Sequence, residues 1–141
     1  MNIQFPGFIG RDRELAVINQ QIARAGTTVV VNIAGSGGIG KTAILRRVWE
    51  VYQASPDIYV TDIVDFSHTV HRSEAWILEQ IIAVSPGKFP AHRRKMRKVE
   101  AAKEPLTRLQ YETELVDAFV KDFNELAIDH RFVLLLDTLE L

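Results

Sequence analysis

Gly35-Ser36-Gly37-Gly38-Ile39-Gly40-Lys41-Thr42 stands between two segments of different periodicity. Before it, Thr27-Thr28-Val29-Val30-Val31-Asn32-Ile33-Ala34 is β-branched and apolar, the composition of a strand covered on both faces. After it, Ala43 to Tyr52 carries apolar residues at 44, 45, 48, 49, 51 and 52, the three- and four-residue spacing of a helix. Strand, glycine loop and helix in this order predict an α/β fold with a parallel sheet. Glycines in such a loop reach backbone angles closed to other residues and let successive N–H groups converge on an anion. A helix beginning near Lys41 adds its unpaired N–H groups and the positive end of its dipole. The spacing is that of the phosphate-binding loop G-x-x-x-x-G-K-[ST]. Gly35 and Gly37 shape the turn, Lys41 brings a mobile charge to the β- and γ-phosphates, and the Thr42 hydroxyl suits a Mg²⁺ ligand.

Composition bounds what surrounds the loop. The chain of 141 residues is 47% hydrophobic and 25% charged with a net charge of −1, as in an ordinary globular domain. That balance offers no global attraction for nucleic acid, so anion binding has to be local. Cysteine is absent, which excludes disulfides and thiolate metal sites. No apolar run approaches the roughly 20 residues of a membrane span, and the N-terminus lacks the charged and apolar regions of a secretory leader. A soluble, cytoplasmic protein is the expectation, with no membrane partner.

Along the chain, Phe5-Pro6-Gly7-Phe8-Ile9-Gly10-Arg11 is too rich in Gly and Pro to be helical. A helix over 12–25 follows, with Leu15, Ile18 and Ile22 on its buried face and Gly26 as its stop. Residues 58–66 read as a second strand and His68 and His71 as a solvated polar turn. Ser73 caps a helix to Ala83 that buries Trp76, Ile77, Leu78, Ile81 and Ile82. The basic run 92–98 has no interleaved aromatic residue for base stacking and reads as a solvated face. Thr107 and Gln110 have capping-box spacing at the start of a helix over 106–128, whose expected stripe is Leu109, Val116, Phe119, Val120, Phe123 and Leu126. Residues 132–137 form a third buried strand.

That strand ends in Asp137, which the topology of an α/β sheet delivers to the edge where ligands sit. There it suits Mg²⁺, and Glu140 is the candidate to orient or deprotonate an attacking water. Lys41, Asp137 and Glu140 are thus the expected catalytic groups, with Thr42 and Asp137 at the metal.

Three stretches together resemble the STAND NTPases, relatives of the AAA+ ATPases. Phe8-Ile9-Gly10-Arg11-Asp12-Arg13-Glu14-Leu15 is similar to their hhGRxxE box, within an N-terminal segment 5–15. Residues 35–42 resemble their Walker A, and 132–140 their Walker B. The resemblance implies a three-layer P-loop sandwich of the ASCE type, here stopping after the Walker B strand, so that 1–141 is a partial nucleotide-binding domain. It implies that Phe8 and Ile9 hold the adenine, that Arg11 lies near the nucleotide, and that Gly38, Ile39, Gly40, Lys41, Thr42 and Ala43 hold the phosphates. It further implies a switch binding ADP or ATP with Mg²⁺, possible homo-oligomers, and partners in its own longer chain: sensor, helical, winged-helix and effector parts. Thr138 stands where many AAA+ members carry their catalytic Glu. Competing readings are a small-molecule P-loop kinase and a non-catalytic nucleotide-binding module.

Overall fold

In the computed structural model, the described residues are 11–24, 26, 31, 33 and 40–138. Among these residues, five helices and two strands follow one another as α1 (Asp12–Ala23), α2 (Lys41–Tyr52), β1 (Ile58–Asp65), α3 (Glu74–Ala83), α4 (Pro90–Ala101), α5 (Pro105–Leu126) and β2 (Arg131–Asp137). A single 3-10 turn, Thr69–Arg72, joins β1 to α3. β1 and β2 pair in parallel, from Ile58 opposite Arg131 to Asp65 opposite Asp137, as the α/β expectation requires. Of the expected strand 27–34, Val31 and Ile33 are described; the rest lies outside the described residues.

The register slips between Val60 and Ile63. There the buried Thr61 hydroxyl accepts the Leu135 N–H at 3.2 Å, replacing a ladder partner that the slip removes. One side of the sheet packs against α1 and α2 through Ile18, Ile44, Val48, Val60 and Leu135, with Leu15, Ile22 and Ile33 at the margin. The start of β2 is tied to the same layer, because the Arg131 guanidinium donates to the Ile22 carbonyl at the end of α1.

The other core gathers Ile81, Phe89 and Phe119, with Phe123, Leu126 and Phe132 packed on them. Its rings stack in series: Phe89 on Phe119 at 5.1 Å, Phe119 on Phe123 at 5.8 Å, and Phe123 against Phe132 at 4.7 Å between centroids. α4 and α5 form a helical hairpin whose junction depends on Asp122, only 2% exposed. Its Oδ1 and Oδ2 accept the N–H groups of Ala91 and His92 at 3.2 and 2.9 Å. α4 has no side-chain cap of its own, and Pro90 at its first position has no N–H, so Asp122 satisfies the next two donors from a neighbouring helix.

That junction overturns part of the expected α5 stripe. Phe119 is buried, and Phe123 and Leu126 pack on the core, but Leu109, Val116 and Val120 are 55%, 42% and 45% exposed. With Asp122 aimed at α4 and the phenyl rings at the sheet, the helix turns these aliphatic residues outward. The capping box is also absent: Glu104 is the N-cap, Pro105 starts the helix, and Thr107 lies inside it with no side-chain cap formed. β2 is likewise less covered than expected, since Leu134 and Leu136 are exposed while Leu135 on the opposite face is buried.

Other elements follow the sequence closely. Ser73 caps α3, its Oγ accepting the Trp76 N–H at 3.1 Å. The basic run lies on α4, with Arg93, Arg94, Arg97 and Lys98 exposed. His71 departs from the solvated turn expected of it: it stacks on Trp76 at 4.0 Å, and its Nδ1 accepts the Asp65 N–H. Among the described residues no group of histidines and carboxylates has the arrangement of a metal site, and no helix is long and apolar enough to cross a membrane.

Candidate functional site

The site lies where α2 begins and β2 ends. Gly40 precedes α2 with φ of 86° and ψ of 25°, in the left-handed region. Among the described residues a Cβ there would meet Ala43 Cβ at 4.0 Å, an ordinary contact, so it is the backbone angle that calls for glycine. No side chain caps α2 among the described residues, and its first turn, beginning at Lys41, contains no acidic residue. The result is a helix N-terminus whose N–H groups and dipole favour negative charge. The start of α2 is anchored by burial of Ile44 and Val48.

β2 brings Asp137 to this point. Thr42 Oγ1 donates to Asp137 Oδ2 at 2.7 Å across 95 residues of sequence. Asp137 Oδ1 accepts the Thr138 N–H at 2.9 Å, so both carboxylate oxygens are oriented. Thr138 has φ of 58°, an unfavourable conformation for a β-branched residue that costs about 1–2 kcal/mol. The hydroxyl and carboxylate are hard oxygen donors, and this donor set fits Mg²⁺.

A further carboxylate, not singled out in the sequence, sits beside them. Asp65 ends β1 opposite Asp137. Its Oδ1 accepts the Ser67 N–H at 2.8 Å, and Oδ2 lies 3.8 Å from His68 Nε2. Hydrogen bonds from Ser67 first, and then from Thr138, hold its pKa below the usual carboxylate value. The parallel register is what places it here, beside Asp137.

The remaining expected residues divide into those described and those not. Arg11 precedes α1 and pairs with Glu14 at 2.9 Å; Lys41 and Ala43 lie in the first turn of α2. A backbone hydrogen bond first, and Arg11 second, lower the Glu14 pKa. Phe8, Ile9, Gly35, Gly37, Gly38, Ile39 and Glu140 lie outside the described residues.

A parallel sheet with a glycine-led helix start beside a strand-end aspartate has the form of the edge at which α/β proteins bind ligands. A family model described as AAA ATPase domain matches residues 7–141. The chain belongs to that family, whose membership brings nucleotide binding with it. Comparison with curated proteins and with solved structures gave no match.

Proposed function

We propose that this chain is the nucleotide-binding part of a STAND-type switch, taking ATP or ADP together with Mg²⁺ and coupling the bound nucleotide to self-association. The observation that carries the reading is the 2.7 Å bond between Thr42 and Asp137 at the mouth of a glycine-led helix. A hydroxyl and a carboxylate facing each other there are hard oxygen donors that would hold Mg²⁺ beside bound phosphates. Membership of the AAA ATPase family supports nucleotide as the ligand, and the Phe8–Leu15 box supports the STAND branch.

In this reading Gly35, Gly37, Gly38, Ile39 and Gly40 wrap the phosphates with backbone N–H groups, Lys41 neutralises their charge, and Ala43 continues the helix N-terminus around them. Phe8 and Ile9 hold the adenine, with Arg11 near the nucleotide. Thr42 and Asp137 hold Mg²⁺, which when bound draws charge from the phosphate oxygens. Glu140 orients the water for hydrolysis, because Thr138 has no carboxylate. Turnover belongs to the domain together with further segments of its own chain, and the setting is the cytoplasm.

The test is calorimetric titration of ATP and ADP with and without Mg²⁺, using the protein and Asp137→Asn. Mg²⁺ should strengthen ATP binding in the protein, and the substitution should remove most of that gain. Sedimentation with ATP against ADP tests the switch: equal association in both would refute coupling to oligomerisation.

A further inference from the structure

Among the described elements α4 is the most cationic, and neither the fold nor the nucleotide reading uses its charge. Arg93, Arg94, Lys95, Arg97 and Lys98 carry five positive charges in a chain of net charge −1, so the remainder is net −6. Lys95 is already paired, with Glu114 of α5. Its Nζ and that of Lys98 lie 5.4 and 5.7 Å from the Tyr111 ring centroid. Arg94, Arg97 and Lys121 form no ion pair among the described residues.

The two helices present these charges along one cleft of about 430 Å³. On its α4 side stand Arg94, Lys95 and Lys98, and on its α5 side Glu114, Asp117 and Lys121. Ala91 and Ala118 line it with nothing beyond a Cβ, so a partner's backbone can come close. Arg93 and Arg97 extend the exposed cationic face beyond the cleft.

The distribution of sign selects the partner. A nucleic acid carries its phosphates without interruption, and Glu114 and Asp117 repel such a strand along the α5 side. No ring among the described residues lines the cleft, so bases have no platform on which to stack. A protein helix can set carboxylates against Arg94 and Lys98 and neutral residues against Asp117. Arg94 and Lys98 are four residues apart, neighbours on the helix surface, and glutamates at i and i+4 repeat at the same spacing.

We propose that the α4–α5 cleft is a docking surface for an acidic amphipathic helix of a partner protein. The helix lies in the cleft as a third member of the hairpin, its carboxylates against Arg94, Lys98 and Lys121. Contacts between exposed charges are individually weak and screened by salt, so docking is reversible and its selectivity lies in the pattern of charge.

Fluorescence anisotropy with the intact chain tests it, using labelled probes at about 20 mM and about 200 mM salt. One probe is an alanine-rich peptide of about 20 residues, long enough to be helical, with glutamates at i, i+4 and i+8. A second has the same composition with its glutamates dispersed around the helix, and a third is duplex DNA. At low salt the striped peptide should bind at least about threefold tighter than the dispersed one, and high salt should remove most of that binding. Arg94→Glu combined with Lys98→Glu should weaken it at least about tenfold. Ala118→Gln, which fills the cleft without altering charge, should weaken it as well. If the double substitution does not fold, Lys121→Glu on the opposite wall should show the loss.

No binding of the striped peptide, equal binding of the two peptides, or parent-like affinity after charge reversal would overturn the proposal. So would tighter binding of the duplex than of the striped peptide, which would give the face to phosphates. Loss of self-association on charge reversal, with no peptide binding by the parent, would give it to a second copy instead.

Discussion

The Asp122 carboxylate of α5 accepts the N–H groups of both Ala91 and His92, and so closes the N-terminus of a helix to which it is not joined in sequence. A buried anion is costly unless hydrogen-bonded, and an uncapped helix start is costly when buried. Each meets the other's need. This contact fixes the α4–α5 hairpin, which in turn sets which face of α5 meets Phe132 on the strand that delivers Asp137.

Asp122→Ala should therefore destabilise the fold by about 1–3 kcal/mol, by leaving buried N–H groups without an acceptor. Urea unfolding measures the loss. Nucleotide affinity in the folded variant should be unchanged, since the hydrogen bonds lost, to Ala91 and His92, do not include Thr42 or Asp137.

His92 gives a pH signature at the same junction. Burial holds its pKa below the usual histidine value, while Asp122 and Glu79 pull the other way. The unfolded chain therefore takes up a proton near pH 6.5 that the folded protein still refuses. This contribution to stability is complete above about pH 6.5 and is lost as pH falls toward the lower folded value. Urea unfolding between about pH 8 and pH 5 should show a larger loss for the parent than for His92→Gln. Parallel curves for the two would show the imidazole is not desolvated.

Lys41→Ala tests the phosphate cradle. A charge-assisted contact is worth about 1.5–3 kcal/mol, so nucleotide affinity should fall at least tenfold with far-UV circular dichroism unchanged. Unchanged affinity by titration calorimetry would remove Lys41 from the site.

Glu140→Gln separates binding from turnover. With Glu140 orienting water, the variant retains Mg²⁺-dependent ATP binding and loses phosphate release in a protein that contains the whole domain. Equal loss of both would make Glu140 a ligand or a structural residue.

Several features of this chain were legible locally. Gly40 ahead of α2, the Ser73 cap, the helix beginning at Asp12 and the strand ending at Asp137 depend on neighbours within a few positions, where backbone preference and periodicity act. The tertiary structure decided what depends on distant partners. Leu109, Val116 and Val120 fit an amphipathic stripe, yet Asp122 and the phenylalanines took the core-facing side of α5, because a buried carboxylate has to follow its donors on α4. Asp65 shows the same limit at the site. It comes to lie opposite Asp137 because parallel pairing brings together the ends of strands separated by three intervening helices.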